Sequence, residues 1–316
     1  MFQRRKSGTG LTGRGETLRQ AGVGDVYGRR SGGLALFFAV TFTTTWVFWL
    51  IAIVLGGSPT SSPTAVPYLL GGFGPVFGAI AVRIRRTRRR EPVPARAVKF
   101  RQGIRLFWAL PLLVLASATV VAGALLADFL GGPGVSLTEG RELISTVGGI
   151  VPFFVSMLIA GPLAEEPGWR GTAYPRLRAS MSRLQTGLVL GAVWAVWHLP
   201  LFFIEGTVQA ELGLISWSGL MFSLSVIPVA LLTGYAYERA GVAASIAVHL
   251  GFNATMAVLT VDSPITQAFI LTVQIVLAIT LLATQRDRRT EPPVHAAPHP
   301  HQTATDAPHQ ISPTRA

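Results

Sequence analysis

Residues 186–204 read TGLVLGAVWAVWHLPLFFI, and this stretch decides the fold. A helix needs about 20 mostly apolar residues to cross the hydrocarbon core of a bilayer, and this run meets that length. It holds no Asp, Glu, Lys or Arg. Its one ionisable side chain is His198, twelve residues in. An ionisable residue inside a span is costly and marks a functional path more often than it serves packing.

Working outward, seven further runs of similar character lie at 34–56, 66–84, 104–130, 143–163, 213–235, 241–260 and 267–284. The pattern predicts an all-α, polytopic integral membrane protein of about eight transmembrane helices with disordered termini. Only 13% of the 316 residues are charged, against about 25% in a typical soluble domain. The net charge of +12 would suit nucleic acid, but the basic residues cluster in short segments beside the apolar runs, which excludes that class. The first run starts too late and extends too far for a cleaved signal peptide. With no cysteine, disulfide and thiolate chemistry are excluded.

Basic residues concentrate in the N-terminal segment, the second-to-third loop (Arg83 to Arg105), the fourth-to-fifth loop (Arg170, Arg176, Arg178, Arg183), Arg239 and the C-terminal segment. The opposite loops hold Arg141 alone. The positive-inside rule then predicts both termini in the cytoplasm. Residues 1–30 are expected to be a disordered basic segment, 31–284 the membrane domain with its chemical core at 143–260, and 285–316 a disordered tail. No internal repeat is present.

Three polar islands interrupt the apolar runs. The first is Glu165-Glu166-Pro167-Gly168-Trp169-Arg170-Gly171, at the end of the fourth run. The second is Trp194 to His198. The third is His249-Leu250-Gly251-Phe252-Asn253, in the seventh run. At about 1.5 Å per residue, His198 and His249 lie on the order of 18 and 12 Å below the cytoplasmic boundary. His249 and Asn253 share a helix face, and Glu166 and Arg170 are spaced to pair directly. That leaves Glu165 free to point elsewhere. A run ending at 163 leaves Glu165 near the interface. Gly161-Pro162 and Pro167-Gly168 suggest a broken helix, and irregular backbone at membrane depth lines a cavity. Continuation to about residue 178 would bring Glu165 above the histidines.

Taken singly, each residue has a plain structural role. Asn253 or one histidine serves helix packing, the glutamates form a solvated cap, and Trp194 and Trp197 pack or anchor at the interface. The remaining histidines, all in the tail, carry no designed role. Taken together, Glu165, His198, His249 and Asn253 supply a general base, its partner and two oxyanion donors, the parts that peptide hydrolysis needs. Carboxylate and imidazole ligands also suit zinc, so Glu165, His198 and His249 are possible metal ligands if the chemistry is metal-dependent.

The three islands resemble the CPBP family of intramembrane proteases, which includes the CAAX prenyl endopeptidases and relatives linked to bacteriocin self-immunity. The family pattern is Glu-Glu-x-x-x-Arg, Phe-x-x-x-His and His-x-x-x-Asn or Asp on an eight-helix core. Here Trp194 stands in place of the phenylalanine. The resemblance covers about 143–260. It implies Glu165 with His198 as the water-activating pair, His249 with Asn253 as oxyanion stabilisers, and Glu166 and Arg170 as supporting residues. The family has been described both as metalloproteases and as metal-independent glutamate proteases; we read this chain as metal-independent, with zinc the alternative. The expected partners are a membrane-associated peptide or protein substrate and the lipid bilayer, with no nucleic acid, in what is expected to be a bacterial cell membrane. Two other classes compete: a catalytically silent scaffold or immunity protein of the same fold, and a proton-coupled transporter. The transporter would show broken helices repeated in two halves, which the sequence lacks.

Overall fold

The computed structural model describes the backbone of residues 13–91 and 107–284, with side chains from residue 33 onward. Residues 1–12 of the expected disordered N-terminal segment and all of the expected tail, 285–316, lie outside the described residues. The backbone of α1 (Gly13–Leu55) is helical from Gly13, and its membrane-length part is Gly33–Leu55.

All described elements are helical, and they follow the eight apolar runs. The second run is a pair, α2 (Ala65–Gly72) and α3 (Gly74–Arg88), bent by 50°. The third is α4 (Ala109–Phe129). A short amphipathic helix, α5 (Thr138–Thr146), precedes the fourth. Helix α9 (Arg183–Trp197) carries the fifth run, and a 3-10 turn extends it to Phe203. A single turn, α10 (Val208–Leu212), leads to the sixth run, α11 (Trp217–Ala240). The seventh and eighth are α12 (Val242–Val258) and α13 (Pro264–Thr284). Among the described residues six helices are long and apolar enough to cross a membrane, and the bent pair makes a seventh. The remaining expected span, the seventh run in α12, has 17 residues. Large side chains such as Val54, Phe129, Val151 and Ile279 face outward, as lipid-facing positions must in a helix bundle.

The fourth run departs from the expected boundary at 163. It is a broken path: α6 (Ile150–Ala160), a break at Gly161, α7 (Pro162–Gly168), a π turn over Trp169–Ala173, and α8 (Tyr174–Leu177). The sequence explains the irregularity. Pro167 has no N–H to give to Leu163, and Pro175 has none to give to Gly171, so the regular ladder fails twice. The wide turn forms between the two prolines; such π segments recur at functional sites. The consequence is that Glu165 and Glu166 do not end the span at an interface. They sit inside the protein.

Two clusters of tertiary contacts fix this path. On one side α1 packs against the bent pair and α9 through indole and hydroxyl hydrogen bonds. Thr45 Oγ1 donates to the Gly71 carbonyl at 2.8 Å, and Trp197 Nε1 donates to Thr45 Oγ1 at 2.9 Å. On the other side Leu112, Ala116 and Val120 of α4 pack with Val248 and Phe252 of α12 and Ile270 of α13. The arginine-rich ends also meet. Glu238 at the end of α11 accepts from Arg178 Nε at 2.9 Å, Arg183 Nε at 2.6 Å and the Tyr174 hydroxyl at 3.0 Å. This gathering of basic ends on one side agrees with the alternation of charge between loops.

Gly168 lies flat against Pro75 of α3, and an added Cβ would run into the Pro75 carbonyl and ring. Backbone offers no rotamer through which to relax. Gly168→Ala is therefore expected to lower stability by about 1–3 kcal/mol, the usual cost of overpacking. Thermal unfolding in detergent micelles measures this; an unchanged midpoint would show that α3 and α7 slide apart freely.

Candidate active site

Three elements bring the polar islands together: α7 with its π turn, the end of α9, and the middle of α12. Each is positioned by local sequence. A capping box starts α9, with Gln185 N–H donating to Ser182 Oγ at 3.2 Å and Ser182 N–H donating to Gln185 Oε1 at 2.9 Å. Pro200 stops the α-helical ladder, so His198 falls at its C-cap. In α12, His249 and Asn253 occupy one face, as their spacing predicts.

The site residues are drawn from the water-poor interior. Relative exposure is 5% for Glu165, 0% for Glu166, 1% for Arg170, 9% for His198 and 4% for His249. Asn253 is exposed. Gly161 lies close to both it and Glu165. A Cβ added at Gly161 would sit 3.3 Å from Asn253 Nδ2 and 3.7 Å from Glu165 Oε1. A side chain at this position would crowd the amide and touch the carboxylate.

The two adjacent glutamates have different partners. Glu166 Oε1 accepts from Arg170 Nη1 at 3.1 Å, the i,i+4 pair expected from spacing, and from His249 Nδ1 at 2.9 Å. Glu165 Oε2 accepts from Trp194 Nε1 at 2.7 Å. Glu165 Oε1 accepts from no described residue, and it is not among the sealed polar atoms. Trp194, read from sequence as packing or an interfacial anchor, is therefore a hydrogen-bond donor to the site. Aromatic residues in a span have too many packing roles for its position alone to signal this. The His249–Glu166 contact also goes unsignalled, because it joins helices 83 residues apart.

The hydrogen bonds assign the histidine tautomers. A carbonyl oxygen only accepts, so His198 Nδ1, 2.8 Å from the Trp194 carbonyl, carries a proton. In the neutral ring Nε2 is then the free lone pair. His249 Nδ1 donates to the Glu166 carboxylate in the same way, and its Nε2 is the second ring position. The His198 ring is held edge-on by Trp197, with centroids 4.8 Å apart, and by Phe222 at 5.6 Å.

Among the described residues no three His, Cys, Asp or Glu side chains converge in a way that would hold a metal ion. His249 turns one nitrogen to Glu166, and Glu165 turns one oxygen to Trp194. Each keeps a second donor atom, His249 Nε2 and Glu165 Oε1.

Fold and site together define a polytopic helical membrane protein with a buried cluster of carboxylates and histidines and an exposed asparagine one turn from His249. Comparison with known proteins agrees. Residues 147–255 match the type II CAAX prenyl endopeptidase Rce1-like family, and all six expected site residues fall within that segment. A CAAX prenyl protease 2 of Methanococcus maripaludis is 26% identical over 200 residues, which is 62% of this chain and 73% of that protein. These matches bear out the resemblance to the CPBP family.

Proposed function

We propose that the chain is an intramembrane endopeptidase that hydrolyses a peptide bond of a membrane-associated or lipidated substrate near the cytoplasmic face. The observation that carries this reading is the unequal pairing of the two buried glutamates. Glu166 Oε1 takes the Arg170 guanidinium and the His249 imidazole while its Oε2 is sealed without a partner; Glu165 takes only the neutral Trp194 N–H, and its Oε1 lies toward the Gly161 backbone. A carboxylate so placed, with a lone-pair nitrogen on His198, can take a proton from water as it attacks a carbonyl. The oxyanion that forms would be met by Asn253 Nδ2 and by His249 Nε2–H.

Charge balance supports these roles. Glu165, Glu166 and Arg170 together carry one net negative charge, and burial penalises a net charge strongly. As an oxyanion donor His249 needs an N–H on both ring nitrogens. Its Nδ1–H then serves Glu166, and its Nε2–H is available to the oxyanion. Glu166 and Arg170 hold that imidazolium in place. The proton taken up from water is returned to the departing amine, which completes the hydrolysis without a covalent intermediate.

We place the arginine-rich side, and with it both termini, in the cytoplasm. The name of the Methanococcus relative supports a lipidated peptide as the substrate class. The test is cleavage of a bilayer-tethered peptide, prenylated or not, by the protein in liposomes. Cleavage is expected, unchanged by chelators, and His198→Ala should slow it by about 10²–10⁴-fold. Loss of activity on chelation with rescue by zinc would overturn the metal-independent chemistry. Proton uptake without cleavage would make the chain a transporter, and neither activity would make it a silent scaffold.

A further inference from the structure

Trp194 has no part in this chemistry, yet it touches four residues of the site: Glu165, Arg170, His198 and His249. The indole Nε1–H donates to Glu165 Oε2 at 2.7 Å. The Arg170 guanidinium lies over the indole ring, its Cζ 4.4 Å from the centroid. The His249 ring meets the indole edge to face, with centroids 5.1 Å apart at 84°. The Trp194 carbonyl takes the His198 Nδ1–H at 2.8 Å. The side chain itself is buried.

Resting on the protease reading, the geometry points to Trp194 as the positioning residue of the general base: its indole N–H pins Glu165 Oε2 and so presents Oε1 to the space between Gly161 and Asn253. The choice of donor matters. A guanidinium at this place would supply a counter-charge that competes with proton uptake by the carboxylate. The indole N–H carries no charge, so it orients the carboxylate while opposing proton uptake less than a guanidinium would. The nearest guanidinium, Arg170, is diverted to Glu166 and to the ring face. A phenylalanine, which the family pattern carries at this position, would fill the same space and keep a face for Arg170, but it has no N–H to donate. The hydrogen bond to Glu165 thus depends on the indole.

The test separates the N–H from the ring. Trp194→Phe removes the donor, and Trp194→3-benzothienylalanine removes it without changing shape, because sulfur replaces the N–H. Both should lower kcat on a bilayer-tethered peptide by roughly 10–100-fold, the worth of one hydrogen bond to a charged group. KM should stay at the wild-type value; the melting midpoint should fall further for Trp194→Phe, which also loses ring volume, than for the isosteric variant, while kcat should fall equally in the two, which a packing role would not allow. The infrared carboxylate stretch of Glu165, identified by its loss in Glu165→Gln, should shift in both variants. Wild-type kcat in the benzothienylalanine protein, or an unshifted band, would overturn the assignment. A shifted band in a protein that cleaves no peptide would uphold the hydrogen bond and sink the protease reading instead.

Discussion

Glu165→Gln is expected to abolish peptide cleavage, by on the order of 10³-fold or more, in a protein that remains folded. The amide is isosteric with the carboxylate, and its carbonyl can still accept the Trp194 N–H. It cannot take a proton from water, so the general-base contribution is lost in full. Stability should hold, because the substitution removes one of two adjacent buried negative charges of which Arg170 pairs with only the other. Activity within tenfold of wild type, by single-turnover cleavage in liposomes, would remove Glu165 from the mechanism.

Glu166→Ala is expected to act on stability first. Arg170 is 1% exposed, and Glu166 is its only ion-pair partner among the described residues. The Nε and Nη2 of Arg170 have no hydrogen-bond partner there. Removing Glu166 leaves a buried guanidinium with no countercharge in contact, and breaking such a pair costs about 3–5 kcal/mol. It also frees His249 Nδ1, so activity should fall beyond what partial unfolding explains. The double change Glu166→Leu with Arg170→Met removes both charges and should restore most of the stability without restoring cleavage. Denaturant unfolding of the single and double variants in micelles measures this. Equal destabilisation by the single and double changes would show that the pair is not the source of the effect.

The bundle is legible in the sequence because lipid leaves helices few alternatives. Runs such as 186–204 and 267–284 must be long, apolar and separated by basic loops. The i,i+4 pairs are legible as well, since helical spacing alone brings Glu166 to Arg170 and places His249 with Asn253 on one face. The course of the fourth run is not fully legible. Gly161, Pro162 and Pro167 announce a break, but whether the chain continues inward past the break depends on packing, including the flat contact of Gly168 on Pro75. Partner choice across helices is also hidden. Nothing in the spacing says that His249 turns to Glu166 rather than Glu165, or that Trp194 turns its N–H inward. Those are consequences of where α7, α9 and α12 meet.

Mass spectrometry of a bilayer-tethered peptide, incubated with the purified protein in ¹⁸O-labelled water, tests the central claim most directly. A hydrolase predicts a new peptide C-terminus carrying the heavy oxygen with the wild-type protein, and none with Glu165→Gln. An intact peptide with the wild-type protein, or equal product from both, would contradict the account.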